Sequence, residues 1–187
     1  SDSRNIDTFL RDYPAVFGFS KIDIANEVSK LKTVLDEFNP DFIIHFAGLK
    51  SVAESEKKPD LYMENNVGST RNLLENMNSE TFFIFSSSAT VYGNNPDQPL
   101  TEDSEIEATS VYGQSKIECE NLIKEYAVNK GVKSICLRYF NPVGSHQEFI
   151  VVEDYLNQPS NLMPKLIECV KNGKNTINVY GNDYETR

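Results

Sequence analysis

The amino-acid sequence predicts an α/β protein: a parallel sheet with helices on both faces, followed by the start of a smaller α/β domain. Apolar runs of strand length recur along the chain, segments of helical periodicity separate them, and small or polar residues follow each of the fuller runs. The first two observations are the alternation of βαβ units. The third locates a site, because in open parallel sheets a ligand lies beyond the carboxyl ends of the strands.

In chain order, Val16-Phe17-Gly18-Phe19 is the first run. Residues 25–38 follow as an amphipathic helix, since Val28, Leu31, Leu35 and Phe38 repeat at helical spacing and Asn39-Pro40 stops the pattern. Phe42-Ile43-Ile44-His45-Phe46 is the second run. Residues 59–77 form a helix with Pro59 in its first turn and Tyr62, Asn66, Thr70, Leu73 and Met77 on one stripe. Phe82-Phe83-Ile84-Phe85 is the third run and closes on Ser86, Ser87 and Ser88. Residues 92–109 hold Gly93, Asn94, Asn95, Pro96 and Pro99, turn chemistry without periodicity, and long excursions of that kind are often functional. Residues 111–129 form a third helix, with Tyr112, Ser115, Cys119, Leu122 and Tyr126 on one stripe and Lys130-Gly131 as its stop. Ser134–Tyr139 is the last run. Near-continuous apolarity in the fuller runs predicts strands covered on both faces. Asn141-Pro142-Val143-Gly144 then breaks the alternation, which divides the chain into a domain at 1–141 and the beginning of another at 142–187, the latter with a short helical stretch flanked by Pro159 and Pro164.

Composition narrows the function classes. Acidic residues outnumber basic ones by 28 to 18, a formal charge of -10 that repels phosphate backbones and anionic membrane surfaces and leaves no electrostatic footprint for nucleic acid. A small anionic ligand remains compatible, because backbone amides and a few placed cations can hold it locally. The three cysteines, Cys119, Cys136 and Cys169, are dispersed and outside any C-x-x-C pair, as in ordinary thiols of a reducing compartment. No apolar stretch of membrane-spanning length and no basic-then-apolar leader is present, so the sequence reads as soluble and cytoplasmic.

The chemistry-bearing pair is Tyr112 and Lys116, at i and i+4 on the third helix, where a phenol and an ammonium share one face. A cation so placed favours the phenolate and lowers the tyrosine pKa, which suits a base working near neutral pH. The same spacing occurs on helices that only pack, and serine runs are ordinarily loops. The setting separates these readings: Ala47-Gly48-Leu49-Lys50, Ser86–Ser88 and Phe140–Gly144 gather at the sheet edge from which Tyr112 enters its helix. His45 ends an apolar run without a serine or carboxylate at a recognisable spacing and reads as structural, while His146 falls in a loop. Two histidines and scattered thiols give no metal site, and no G-x-S-x-G elbow surrounds Ser88 to suggest a hydrolase.

The ordered blocks His45-Phe46-Ala47-Gly48-Leu49-Lys50-Ser51-Val52, Asn65-Asn66-Val67, Ser86-Ser87-Ser88-Ala89-Thr90-Val91-Tyr92-Gly93, Tyr112-Gly113-Gln114-Ser115-Lys116, Leu137-Arg138-Tyr139-Phe140-Asn141-Pro142-Val143-Gly144 and Asn161-Leu162-Met163-Pro164 span nearly the whole chain. They resemble the motifs of the UDP-glucose 4-epimerases, extended members of the short-chain dehydrogenase/reductase superfamily. The resemblance implies a Rossmann-like, NAD-binding domain at 1–141 and the start of a UDP-sugar-binding domain at 142–187. It implies that Tyr112 takes the proton of the sugar 4-hydroxyl while hydride leaves C4 for NAD. The resulting keto sugar turns over and recovers hydride on its other face, which interconverts UDP-glucose and UDP-galactose. By the same resemblance Lys116 tunes the tyrosine and holds the nicotinamide ribose, and Ser88 hydrogen-bonds the reacting oxygen.

Cofactor roles implied by the resemblance fall on Asp23, Ile24, Phe46, Ala47, Gly48, Lys50, Asn66, Ser86, Tyr112, Lys116 and Tyr139. Substrate roles fall on Lys50, Ser88, Tyr112, Phe140, Asn141, Asn161, Leu162, Asn178, Val179 and Tyr180. Some of these residues have a plain alternative: Asp23 can cap a helix, Asn141 before Pro142 can make a turn, and Asn161 can cap a helix. The family pattern also includes a first strand and a glycine-rich pyrophosphate loop upstream, and a later arginine that grips the diphosphate. None of these is in the sequence, so the resemblance implies an internal fragment with an exposed sheet edge, and a homodimer through the helices at 59–77 and 111–129 in the complete protein. Ala89 and Thr90 stand where dehydratases carry Asp-Glu, which disfavours water elimination. Two alternatives stay open: an epimerase acting on N-acetylated UDP-sugars, and a non-catalytic remnant.

Overall fold

The computed structural model describes residues 6–7, 10–11, 18–144, 162–173 and 176–178. The chain divides into two compact units, Ser20–Pro142, and Ser1–Phe19 together with Val143–Arg187.

The unit at Ser20–Pro142 is built on three parallel strands, β1 (Phe42–His45), β2 (Phe82–Ser88) and β3 (Ser134–Tyr139), in the order β1-β2-β3. Helix α1 (Val28–Phe38) precedes β1. Between β1 and β2 come α2 (Val52–Ser55), α3 (Pro59–Tyr62), a π-helical turn (Met63–Val67) and α4 (Gly68–Asn76). A 3₁₀ turn (Ala89–Tyr92) follows β2, and α5 (Val111–Lys130) leads to β3. The predicted single helix at 59–77 is thus three joined pieces. The π turn widens the spiral by one residue at Asn66, a distortion that recurs near functional sites.

Local chemistry explains the ends of these elements. Asn39 adopts a left-handed conformation and returns its N–H to the Leu35 carbonyl, which stops α1 where Asn39-Pro40 predicts. Ser110 accepts from the Gly113 N–H and opens α5, and Gly131, at φ 70°, closes it. β2 runs three residues beyond its apolar run, because Ser86, Ser87 and Ser88 pair in register with Leu137, Arg138 and Tyr139 of β3. The serine run is therefore the end of a central strand rather than a loop.

Burial alternates along β2: Phe83, Phe85 and Ser87 face the interior, and their neighbours are half-buried. Phe83 and Phe85 pack with Leu31, Leu73, Leu74, Met77, Cys119, Leu122, Ile123 and Tyr126, so α1, α4 and α5 cover that face of the sheet. Among the described residues the opposite face is open. Phe42, Ile44 and Ile135 are 63%, 55% and 46% exposed, and Ile44, Ile84 and Ile135 form one row across the three strands. Helices on both faces were the expectation; among the described residues the helices that pack on this sheet share one face.

In the other unit the described residues include α6 (Leu162–Lys171), which begins two residues before Pro164. Val16 and Phe17 of the first predicted run lie outside the described residues, and Gly18 and Phe19 are irregular. No helix among the described residues is long and apolar enough to cross a membrane.

Candidate active site

The carboxyl ends of β1, β2 and β3 deliver three short segments to one edge: Phe46–Lys50, the end of the serine run with its 3₁₀ turn, and Phe140–Pro142. α5 starts beside them. Lys116, 6% exposed, donates from Nζ to the Ser86 carbonyl oxygen at 2.8 Å and lies 4.7 Å from the Phe85 ring centroid and 5.8 Å from that of Tyr112. Among the described residues no other acceptor engages this ammonium, so a nearly buried cation keeps donors in reserve. Burial lowers its pKa, and the flanking Cys119 and Glu120 pull it back up.

Tyr112 is half-buried, and burial raises its pKa, with a hydrogen bond to Ser88 acting in the opposite direction. The expectation that the ammonium would set the phenol's acidity is corrected here. Lys116 Nζ is engaged by Ser86 O and lies on the ring side of Tyr112, so desolvation of the phenolate is the larger effect. Ser88 Oγ also accepts from the Thr90 N–H at 3.3 Å and from Thr90 Oγ1 at 3.0 Å, which fixes the hydroxyl that meets Tyr112.

Asn66 is 2% exposed and fully partnered: Oδ1 accepts from the Leu49 N–H at 2.8 Å, and Nδ2 donates to Leu49 O at 3.0 Å and Ser115 Oγ at 3.1 Å. Its amide thus ties the loop after β1 to α5. Gly48 permits this approach, because a Cβ there would stand 3.1 Å from Asn66 Oδ1. Phe46, Ala47, Gly48 and Lys50 are exposed along that loop. Tyr139 is half-buried opposite Ser88 in the β2–β3 register, and Phe140, 62% exposed, stacks on Tyr92 with centroids 6.4 Å apart. Asn141 is exposed beside it.

Asp23 caps no helix, since Glu27 is the residue before α1, and its side chain instead organises the turn at residues 24–26. Its Oδ1 accepts from the Ala25 and Asn26 N–H groups, its Oδ2 accepts from Asn26 Nδ2, and its own N–H donates to Glu27. Asn26 holds the carboxyl below its usual range. Ile24 is half-buried and packs against the core. Leu162 opens α6 and Asn178 is irregular, both exposed, whereas Asn161, Val179 and Tyr180 lie outside the described residues. His45 is 3% exposed, pairs through Nε2 with Thr70 Oγ1 at 3.1 Å, and is lowered to about 4 by burial and then by the Lys116 charge. It is neutral at pH 7 and sits in the core.

Sequence reasoning missed a network beneath the site. Glu120, one turn beyond Lys116, accepts from Arg138 Nη2 at 2.7 Å, from Arg138 Nε, and from the Ser87 hydroxyl. Arg138 Nη1 donates to Tyr92 Oη at 2.9 Å and to Glu102 O at 3.3 Å. The available signal was a charge inside an apolar strand, which demands a partner.

A pairing of phenol, hydroxyl and buried ammonium at the carboxyl edge of a parallel sheet is suited to moving a proton on and off an alcohol. Comparison with known proteins agrees in kind. The family model described as NAD dependent epimerase/dehydratase family matches residues 3–187.

The chain belongs to that family.

Among curated members, UDP-glucose 4-epimerase 2 of Oryza sativa subsp. japonica is 37% identical over 187 residues, 98% of this chain and 46% of that protein. UDP-glucose 4-epimerase of Yersinia enterocolitica is 44% identical over 162 residues, 84% of this chain and 48% of that protein. The chain therefore spans about half the length of the curated relatives it matches. A crystal structure of UDP-glucose-4-epimerase from Stenotrophomonas maltophila, with bound NAD and formylated UDP-arabinopyranose, superimposes with a TM-score of 0.90 at 34% identity, covering 100% of this chain and 56% of that one. The epimerase/dehydratase family thus has the fold class predicted for the chain, a Rossmann-like parallel sheet with helices.

Proposed function

We propose that the protein is a UDP-glucose 4-epimerase, interconverting UDP-glucose and UDP-galactose by transient oxidation at C4. The observation that carries this reading is the Tyr112, Ser88 and Lys116 constellation, in a chain whose curated relatives bear that name. The residues present suit NAD. The nearly buried Lys116 ammonium retains donors for a diol, Phe46 offers a 64% exposed ring to a flat nucleotide group, and Gly48 has no side chain to obstruct approach. Lys116, Phe46, Ala47, Gly48, Lys50, Ser86 and Tyr139 would hold it, with Asn66 bracing the loop and Asp23 and Ile24 at the far turn. When bound, NAD supplies a reversible hydride acceptor and a positive charge that favours the phenolate.

The protein's own groups then handle the proton. Tyr112 Oη accepts it from the sugar 4-hydroxyl and returns it after the sugar has presented its other face. Ser88 Oγ, fixed by Thr90, holds the reacting oxygen in line. Lys116 keeps the site electropositive without competing for the proton. Phe140 and Asn141, with Asn161, Leu162, Asn178, Val179 and Tyr180, would receive the UDP-sugar, so residues 1–141 serve the cofactor and 142–187 begin the substrate domain. The working form is a cytoplasmic homodimer through the helices at 59–77 and 111–129, checked by light scattering in solution.

Tyr112→Phe tests the reading. Turnover of UDP-galactose should fall by about 10²–10⁴-fold, the usual contribution of a positioned acid–base group, while NAD stays bound by absorbance and fluorescence. Unchanged turnover would remove Tyr112 as the base.

A further inference from the structure

The first turn of a helix leaves its leading N–H groups without intrahelical partners. In α5 those of Val111, Tyr112 and Gly113 are each met by a side chain, and two of the side chains come from a distant segment. The Gly113 N–H is accepted by Ser110 Oγ at 3.0 Å, the local cap. The Tyr112 N–H is accepted by Ser55 Oγ at 3.1 Å and the Val111 N–H by Glu56 Oε1 at 2.9 Å. Ser55 is fully buried, and its hydroxyl proton goes to Val52 O at 2.7 Å, which leaves the oxygen as an acceptor aimed at α5.

The segment that carries Ser55 is itself braced. Tyr62, also fully buried, accepts from the Ser51 N–H at 3.0 Å and donates to Glu54 at 3.2 Å, and α2 continues directly from the Phe46–Lys50 loop. On its other side the start of α5 has no slack: a Cβ on Gly113 would fall 2.9 Å from the carbonyl oxygen of Thr90, the residue that fixes Ser88. The backbone of Tyr112 is thereby held between the loop after β1 and the turn that carries Ser88.

We propose that Ser55 and Glu56 are positioning residues for Tyr112, seating the first turn of α5 so that the phenol keeps its place relative to Ser88 and to the Phe46–Lys50 loop. The inference rests on the proposed function for its catalytic consequence, and on geometry alone for the seat. Neither residue touches the reacting atoms in this scheme. A displacement of the phenol by a fraction of an ångström affects the proton-transfer step more than sugar binding, because alignment of the reacting atoms is the sensitive quantity.

The test uses the chain with NAD and UDP-galactose. Ser55→Ala and Glu56→Ala should each lower kcat about tenfold with KM within about twofold, and Glu56→Gln, which keeps an acceptor oxygen on the same stem, should restore kcat. Glu56 is exposed, so its variants keep the comparison available should Ser55→Ala fail to fold. A second readout needs no turnover: tyrosinate absorbance of each form minus that of its Tyr112→Phe counterpart follows this phenol alone. Its ionisation should move down toward the ordinary tyrosine value in Ser55→Ala, as the ring leaves its buried setting. Unchanged kcat in both alanine variants, failure of Glu56→Gln to restore it, or an unmoved Tyr112 titration would each overturn the proposal. An inactive parent chain would overturn the functional reading alone, and the titration would then decide the seat.

Discussion

Burial holds the His45 imidazole at a pKa of about 4, from 6.5, and the neighbouring Lys116 ammonium acts in the same direction. Between those values the unfolded chain binds a proton that the folded one refuses, so His45 contributes stability that is present above pH 6.5 and lost as pH falls toward 4. The shift is worth roughly 3 kcal/mol. Urea unfolding across this window should show His45→Asn losing less stability on acidification than the parent, and equal losses would exclude His45 as the source. Asp23, Glu27 and Glu54 have depressed pKa values, so their contributions are lost only as pH falls through those lowered values, and they are common to both proteins. At the same scale, Tyr112 shows why spacing alone misjudges acidity: an ammonium on the same helix face acts on a phenol only to the extent that burial does not outweigh it.

Arg138 joins β3 to α5, to the 3₁₀ turn and to the excursion after it, and only part of its side chain, 20%, reaches solvent, against 9% for Glu120. Glu120 raises the Arg138 pKa chiefly through its hydrogen bonds, and Tyr92 adds to the effect. Removing one member of such a pair strands the other charge, so Glu120→Leu should cost about 3 kcal/mol, while Glu120→Leu with Arg138→Met should cost less than the single change. Denaturant unfolding of the two variants measures this. Cleavage within residues 93–110 under limited proteolysis should rise in the single variant, because Glu102 and Tyr92 lose their fixed anchor. A double variant no more stable than the single one would show that the pair does not act as a unit.

One side of the sheet is open among the described residues, with Phe42, Ile44 and Ile135 all close to or above half exposure. Contiguous apolar surface of this kind favours association, and the charge of -10 opposes it only at long range and low salt. Replacing Ile44 and Ile135 by lysine should lower light scattering at matched concentration while shifting unfolding by no more than about 0.5 kcal/mol per site. Unaltered scattering would place the association elsewhere.

The βαβ alternation, the end of α1, the bounds of α5 to within a residue and the gathering of Tyr112, Lys116 and Ser88 at one sheet edge were legible in the sequence, whereas the start of α1 and the extension of β2 through the serine run were not. Each legible feature depends on periodicity, capping chemistry or short-range spacing, which the chain carries locally. The partners were decided by tertiary structure. Ser87 lies beside Arg138 because β2 and β3 pair in that register, Asn66 meets Leu49 and Ser115 across wide sequence separations, and Ser55 reaches the Tyr112 N–H from another segment. Such contacts depend on how strands align and how deeply each group is desolvated, quantities that exist only once distant parts of the chain have been brought together.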